Sequence, residues 1–383
     1  MTEPIINGVP ASSSLPSGVP VSDAPAAPAV NADAEQVGEP AVVESVAAAR
    51  GPLALEAVGL GRDFKLGRGQ VLHAARNVSF GLYRGAVVAL VGESGSGKST
   101  VAKLLAGQER PTHGSVRLEG KPVDVGSSRR FRQYKRQVQY VFQDPFSSLN
   151  PTHTVGYHLA RPVKLHQPGV KDVKAAVIDL LELVRLTPAA QFVGKFPYEL
   201  SGGQRQRVSF ARALAAKPAV LLADEPVSML DVSIRLEMLG LLNDLRSRLS
   251  LALLYITHDI ASARYFADEV LVMYGGQIVE RGPAEDVTQR PAHPYTQLLI
   301  ASAPDPDDLG SVLKSANVGA GGGAARAGNV GPAAAGCPFS NRCPLAIDKC
   351  KQENPALQLL TPNRAAACWR LDVAASSLTD SVV

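Results

Sequence analysis

Three short stretches carry residue types that could act together on a phosphate group. The first is Gly92-Glu93-Ser94-Gly95-Ser96-Gly97-Lys98-Ser99, followed by Thr100. It satisfies G-x-x-x-x-G-K-[ST]. Its glycines let the backbone turn tightly, so that successive N–H groups point inward, and a helix behind it adds its N-terminal dipole. Lys98 can then reach the β- and γ-phosphates of a nucleotide, and the Ser99 hydroxyl can ligate Mg²⁺. The second stretch, Ala219–Pro226, is an apolar run that ends in Asp224 and Glu225. Asp224 suits Mg²⁺ ligation, directly or through water. Glu225 suits the general base that polarises an attacking water. The third, Leu200–Arg207, is another small-residue loop opening a helix, with Ser201 as N-cap and Gly202, Gly203 and Gln204 behind it. It offers N–H groups and a helix dipole to a second phosphate. The first stretch alone means only nucleotide binding; two anion sites in one chain need a reason for both.

The elements that must carry these groups alternate between strand and helix. Strand patterns cover Leu53–Val58, Val71–Phe80 and the apolar run Val87–Val91, which ends at glycine. A helix pattern follows at Thr100–Ala106. Asp172–Leu186 places Val173, Ala176, Val177, Leu180, Leu181 and Val184 on one helical face, and Val232–Leu249 is also helical. Val270–Tyr274, Gly275-Gly276 and Gln277–Glu280 read as a hairpin. The alternation predicts an α/β fold with a largely parallel sheet. The basic stretch Arg129–Arg136 reads as an exposed helix face.

Composition narrows the class. Of 383 residues, 45% are hydrophobic and 19% charged, enough to bury a core. A net charge of +4 argues against a dedicated nucleic-acid binder. No apolar run approaches the roughly 18–20 residues of a spanning helix. The N-terminus lacks a basic segment followed by an apolar one, so the chain reads as cytoplasmic, reaching a membrane only through partners. Residues 1–50 have no Phe, Trp or Tyr and read as a disordered tail. The Gly/Ala-rich residues 318–336 read as a linker. Cys337, Cys343, Cys350 and Cys368 all lie beyond it.

The Ser201–Gln204 loop resembles the signature sequence of the ABC family. In its order and spacing the whole region from about Leu53 to Pro304 resembles that family's cassette. The resemblance implies a P-loop NTPase cassette, with a mixed sheet core and a helical subdomain near residues 144–215 within 51–285. It also implies a head-to-tail dimer, in which each ATP lies between one subunit's phosphate loop and the other's signature loop. Gln143 matches the residue that contacts Mg²⁺ and the attacking water. Asp231 matches the D-loop across the dimer, and His258 matches the switch histidine at the γ-phosphate. Phe64 sits where the family stacks an aromatic on adenine. Small departures, Met229 for the commoner Ala and Phe64 for Tyr, remove no catalytic group.

Arg290–Ile300 and the segments Gly336–Phe339 and Asn341–Pro344 resemble the C-terminal region of ATPases in oligopeptide, dipeptide and nickel importers. That gives a helical extension at 286–317, a cysteine-containing subdomain at 337–372 and a tail at 373–383. The spacing C-x5-C-x6-C-x17-C fits no common zinc finger. The resemblance implies a [4Fe–4S] cluster on the four cysteines, with Zn²⁺ or plain buried thiols as alternatives. It further implies a peptide-import ATPase on the cytoplasmic face of the membrane. Its partners would be a second, identical or similar cassette, two permease subunits and, indirectly, an extracytoplasmic substrate-binding protein. Import of nickel, glutathione or another small solute is the alternative, and a non-transport ABC ATPase a remote one.

Overall fold

The computed structural model describes residues 45–67, 70–124, 128–302 and 335–372. The strands are β1 (Leu53–Gly67), β2 (Gln70–Tyr83), β3 (Val87–Val91), β4 (His113–Leu118), β5 (Lys121–Pro122), β6 (Val138–Val141), β7 (Val220–Asp224), β8 (Ala252–Thr257), β9 (Glu269–Tyr274), β10 (Gln277–Pro283), β11 (Gln358–Thr361) and β12 (Arg364–Ala366). The helices are α1 (Lys98–Leu105), α2 (Ser128–Gln137), α3 (Pro145–Ser148), α4 (Val155–His166), α5 (Val173–Leu183), α6 (Ala190–Val193), α7 (Gly202–Leu214), α8 (Val232–Leu249), α9 (Ile260–Phe266), α10 (Ala284–Gln289), α11 (Pro294–Ala301) and α12 (Asp348–Gln352).

Among the described residues β6, β7, β8, β3 and β9 lie side by side and parallel, and β10, β12 and β11 continue the sheet antiparallel. The central parallel strands β3, β7 and β8 are buried on both faces, as their near-continuous apolar runs require. Alternation divides them between two cores. Val87, Ala89 and Val91 face one side with Leu221 and Ala223, while Val88 and Leu90 face the other with Val220 and Leu222. The first side is covered by α4, α5 and α7 and reaches Phe339 in the C-terminal segment. The second is covered by α1 and the antiparallel sheet β2-β1-β4-β5. This is the mixed sheet with α/β layering that the sequence predicts.

Local sequence sets the boundaries. Asp172 caps α5 by accepting from the N–H groups of Lys174 and Ala175. The basic helix α2 keeps Arg129, Arg130 and Arg132 exposed, and Tyr134 anchors it through a buried hydroxyl bonded to the Leu105 carbonyl.

Two regions differ from expectation. The last residues of the expected N-terminal tail, Val46–Arg50, form a 3₁₀ turn, with Ala47 fully buried and Arg50 bridged to Asp268 at 2.7 Å. Residues 1–44, most of the linker and the tail 373–383 lie outside the described residues. The cysteine segment does not stand apart: β12 pairs with β10, Glu280 opposite Ala366 and Arg281 opposite Ala365. The fully buried Glu280 fastens this junction. Its carboxylate accepts from the N–H groups of Ala292 (2.9 Å) and His293 (2.8 Å) and from Arg364 at 3.0 Å. Burial raises the pKa of that carboxyl, and three donors compensate its desolvation.

Candidate nucleotide site

Adjacent parallel strands end together. In register, Val91 meets Thr257, Asp224 meets Ile256 and Val141 meets Ala223. The loops that leave these C-terminal ends carry the phosphate loop, Glu225, His258 and Gln143. Ligands of open α/β sheets bind outside such carboxyl ends.

The phosphate loop runs from β3 into α1. At Gly97 φ is 107°, and an added Cβ would lie 2.2 Å from the Ala74 carbonyl oxygen, so only glycine fits. Gly92 is equally tight against the Met273 carbonyl. Glu93, Ser94 and Gly95 form the outer arc, Ser94 and Gly95 exposed, while Ser96 and Lys98 are buried. The Ser96 hydroxyl is buried with no hydrogen-bond partner among the described residues, and α1 begins with no side-chain cap. An uncapped helix start beside an unsatisfied hydroxyl suits a phosphate. Lys98 Nζ donates to the carbonyls of Gly92 (2.6 Å) and Glu93 (2.8 Å). Burial lowers its pKa, and Glu225, Asp224 and Glu93 oppose that shift.

Two carboxylates face this loop. Asp224 accepts from Ser99 Oγ at 3.3 Å and from the Tyr140 hydroxyl at 2.5 Å. Glu225 accepts from Gln143 Nε2 at 2.8 Å and has His258 Nδ1 at 3.4 Å. Glu225 has φ 45°, a strained value for a non-glycine residue, and its N–H donates to the Ile256 carbonyl at 2.9 Å. Ser99 and Asp224 meet as the oxygen pair that would hold Mg²⁺, while the expected third member, Gln143, bonds to Glu225. The ion's positive charge would neutralise phosphate oxygens. Tyr140 is the addition to the predicted set. It lies one strand residue before Val141, so its contact with Asp224 depends on β6 pairing with β7. Burial raises its pKa first and Asp224 second, so it stays a donor.

Residues 75–228 match the family model described as "ABC transporter", and residues 279–350 match "Oligopeptide/dipeptide transporter, C-terminal region". A putative peptide import ATP-binding protein of Brucella ovis is 40% identical, covering 82% of this chain and 96% of the relative. A di/tripeptide transport ATP-binding protein of Pseudomonas aeruginosa is 38% identical with the same coverage. A dimeric ATP-binding cassette solved with ADP and Pi is 27% identical, with a TM-score of 0.55, covering 60% of this chain and 98% of the other. The chain belongs to the ABC transporter family of ATP-binding subunits. Its reaction is ATP hydrolysis.

The remaining residues of the cassette fall in two places. Phe64 lies on β1 opposite Leu72, with the Arg62 guanidinium 4.6 Å above its ring. The same hairpin supplies the Ala74 carbonyl that closes on Gly97. Among the described residues the signature loop shares no hydrogen bond with the cluster above. Ser201 caps α7 by accepting from Gln204 N–H at 3.2 Å, and Gln204 Oε1 accepts from Ser201 N–H at 3.0 Å. Gly202 and Gly203 back onto Leu230 and Ile234, and Asp231 is exposed at the start of α8.

The four cysteines of the cassette's extension are free thiols that line one pocket with His293, Phe339 and Trp369. Burial pushes the Cys337 thiol up to about 11 and raises Cys343 and Cys368. Among the described residues no group of three or more His, Cys, Asp or Glu is arranged to hold a metal ion, so neither the expected [4Fe–4S] cluster nor its Zn²⁺ alternative finds a formed site. The extension also reaches the phosphate loop. Arg342 donates to both carboxylate oxygens of Glu93, and the Tyr295 hydroxyl accepts from Glu93 N–H at 2.8 Å. No sequence signal marked these contacts, which span 249 and 202 positions. Among the described residues no helix is long and apolar enough to cross a membrane.

Proposed function

We propose that this cassette drives uptake of oligopeptides and dipeptides through two permease subunits, on the cytoplasmic face of the membrane. An extracytoplasmic binding protein delivers the cargo. The match of residues 279–350 to a peptide-transporter C-terminal region carries the cargo reading, and relatives named for peptide import agree with it. The ATPase itself does not touch cargo.

In this reading two cassettes enclose two ATP molecules. Lys98 and the N–H groups of Gly92–Thr100 cradle the phosphates. Glu225 takes a proton from the attacking water while Gln143 and His258 orient it, and the residues around the γ-phosphate stabilise developing charge. Ser201, Gly202, Gly203, Gln204 and Asp231 act on the partner cassette's nucleotide. Phe64 stacks on adenine. The four cysteines, which line one pocket, would hold a [4Fe–4S] cluster that adds to the β10–β12 pairing in fastening their segment. Charge-transfer absorption and bound iron are expected in anaerobically purified protein, and colourless, iron-free protein would overturn the cluster. The cargo is tested by uptake of labelled di- and oligopeptides against Ni²⁺, with and without the gene. Loss of peptide uptake alone is expected; loss of Ni²⁺ uptake alone would replace the reading with the nickel alternative.

A further inference from the structure

We propose that Arg342, from the C-terminal extension, is a positioning residue for the phosphate loop: it fixes Glu93 and neutralises its carboxylate beside the site of the nucleotide phosphates. This rests on the reading of Gly92–Thr100 as the phosphate cradle.

Glu93 is held at every polar group. Its carboxylate oxygens accept from Arg342 at 2.8 and 2.9 Å in a two-pronged pair. Its N–H donates to Tyr295, and its carbonyl accepts from Lys98. The loop beyond it is pinned again where Gly276 N–H donates to the Ser96 carbonyl at 3.0 Å. Glu93 therefore sets where Lys98 sits and how the outer arc of N–H groups is aimed.

Arg342 is itself fixed. It packs against the rings of Tyr274 and Phe339, with centroids 5.8 and 5.7 Å away. Those rings pack with Tyr295, tilted and edge-to-face, in one aromatic cluster. Arg342 N–H donates to the Phe339 carbonyl at 2.9 Å, Ser340 N–H to Cys337 at 3.0 Å and Cys337 N–H to Cys350 at 2.7 Å. The tight turn between Cys337 and Cys343 thus aims the guanidinium.

Charge gives the contact its consequence. Glu93 is near enough to Lys98 to act on it electrostatically. A bare carboxylate there would also repel the phosphates that Lys98 attracts. Arg342 cancels that charge with rigid geometry that a lysine lacks. The pair is partly exposed, at 37% and 39% of the side chains, so its effect is modest.

The test is titration of the full-length chain with a fluorescent ATP analogue, paired with turnover in the assembled transporter. Arg342→Gln should weaken binding roughly threefold to fivefold. It should raise KM for MgATP while turnover at saturation stays within about twofold. Arg342→Lys should fall between. Glu93→Gln placed on Arg342→Gln should recover most of the affinity, because the unpaired carboxylate is then gone. Loss of the subdomain's fold would give no such recovery. Wild-type binding by Arg342→Gln, or no recovery in the double variant, would overturn the proposal. Lys98→Ala is the separate control: if it also bound normally, the phosphate-loop reading itself would fail.

Discussion

The loops at Gly92–Ser99 and Ser201–Gln204 are built from the same kinds of residues, and each opens a helix. Their surroundings differ. The phosphate loop is enclosed by its own chain: Ala74, Met273 and Gly276 press on its backbone, while Tyr295 and Arg342 hold Glu93. Its helix starts at a glycine with no side-chain cap. The signature loop spends its polar groups on itself through the reciprocal Ser201–Gln204 cap. It rests on Leu230 and Ile234 and leaves Ser201 exposed. A loop backed from many directions is shaped to hold an anion without help. A self-capped, outward-facing helix start is shaped to meet something that arrives from outside. The contrast supports the proposal that the two loops belong to different nucleotide sites.

The largest effect should come from the chemistry attached to the enclosed loop. Glu225→Gln should lower turnover by about 10²–10⁴-fold while ATP binding persists. Steady-state ATPase assays with parallel binding measurements check this, and retention of full activity would remove Glu225 as the base. Next is the support behind that loop. Arg364→Ala leaves the fully buried Glu280 without its cationic partner, which should cost about 3–5 kcal/mol. Urea denaturation measures it; a loss under about 1 kcal/mol would mean that the β10–β12 junction contributes little. The smallest effect should be at Tyr140. Removing its hydroxyl deletes one bond to Asp224, worth about 1 kcal/mol. Tyr140→Phe should therefore raise the Mg²⁺ concentration needed for half-maximal ATPase activity several-fold. An unchanged Mg²⁺ requirement would separate Asp224 from the metal.

Much of the enclosed site was legible because its residues come in contiguous runs. Gly92–Ser99, Asp224-Glu225, Gln143 and His258 each follow an apolar strand, and parallel pairing brings the strand ends level. The same physics explains what was not legible. Tyr140 depends on the register of β6 against β7. Tyr295 and Arg342 act across more than 200 positions, and no local pattern records such a contact. The cysteine segment read as a subdomain of its own because a Gly/Ala-rich stretch precedes it, and the short strands β11 and β12 carry no strong sequence pattern. Their pairing with β10 becomes visible only once Glu280, Arg364 and the His293 backbone are seen together. The docking of Val46–Arg50 was hidden by a composition that elsewhere signals a tail, and it rests on buried Ala47, the Arg50–Asp268 ion pair and the bond from the N-cap Ser45 hydroxyl to Glu269.

On the proposed reading the two loops serve different nucleotides. The most direct measurement compares Ser201→Glu with Lys98→Ala, first by ATP binding to the single full-length chain and then by turnover in the assembled transporter. Lys98→Ala should weaken single-chain binding at least tenfold, whereas Ser201→Glu should leave it within about twofold and still slow assembled turnover by about a hundredfold. If Ser201→Glu weakened binding to the lone chain as much as Lys98→Ala does, the two loops would share one nucleotide, contrary to the proposed arrangement across two cassettes.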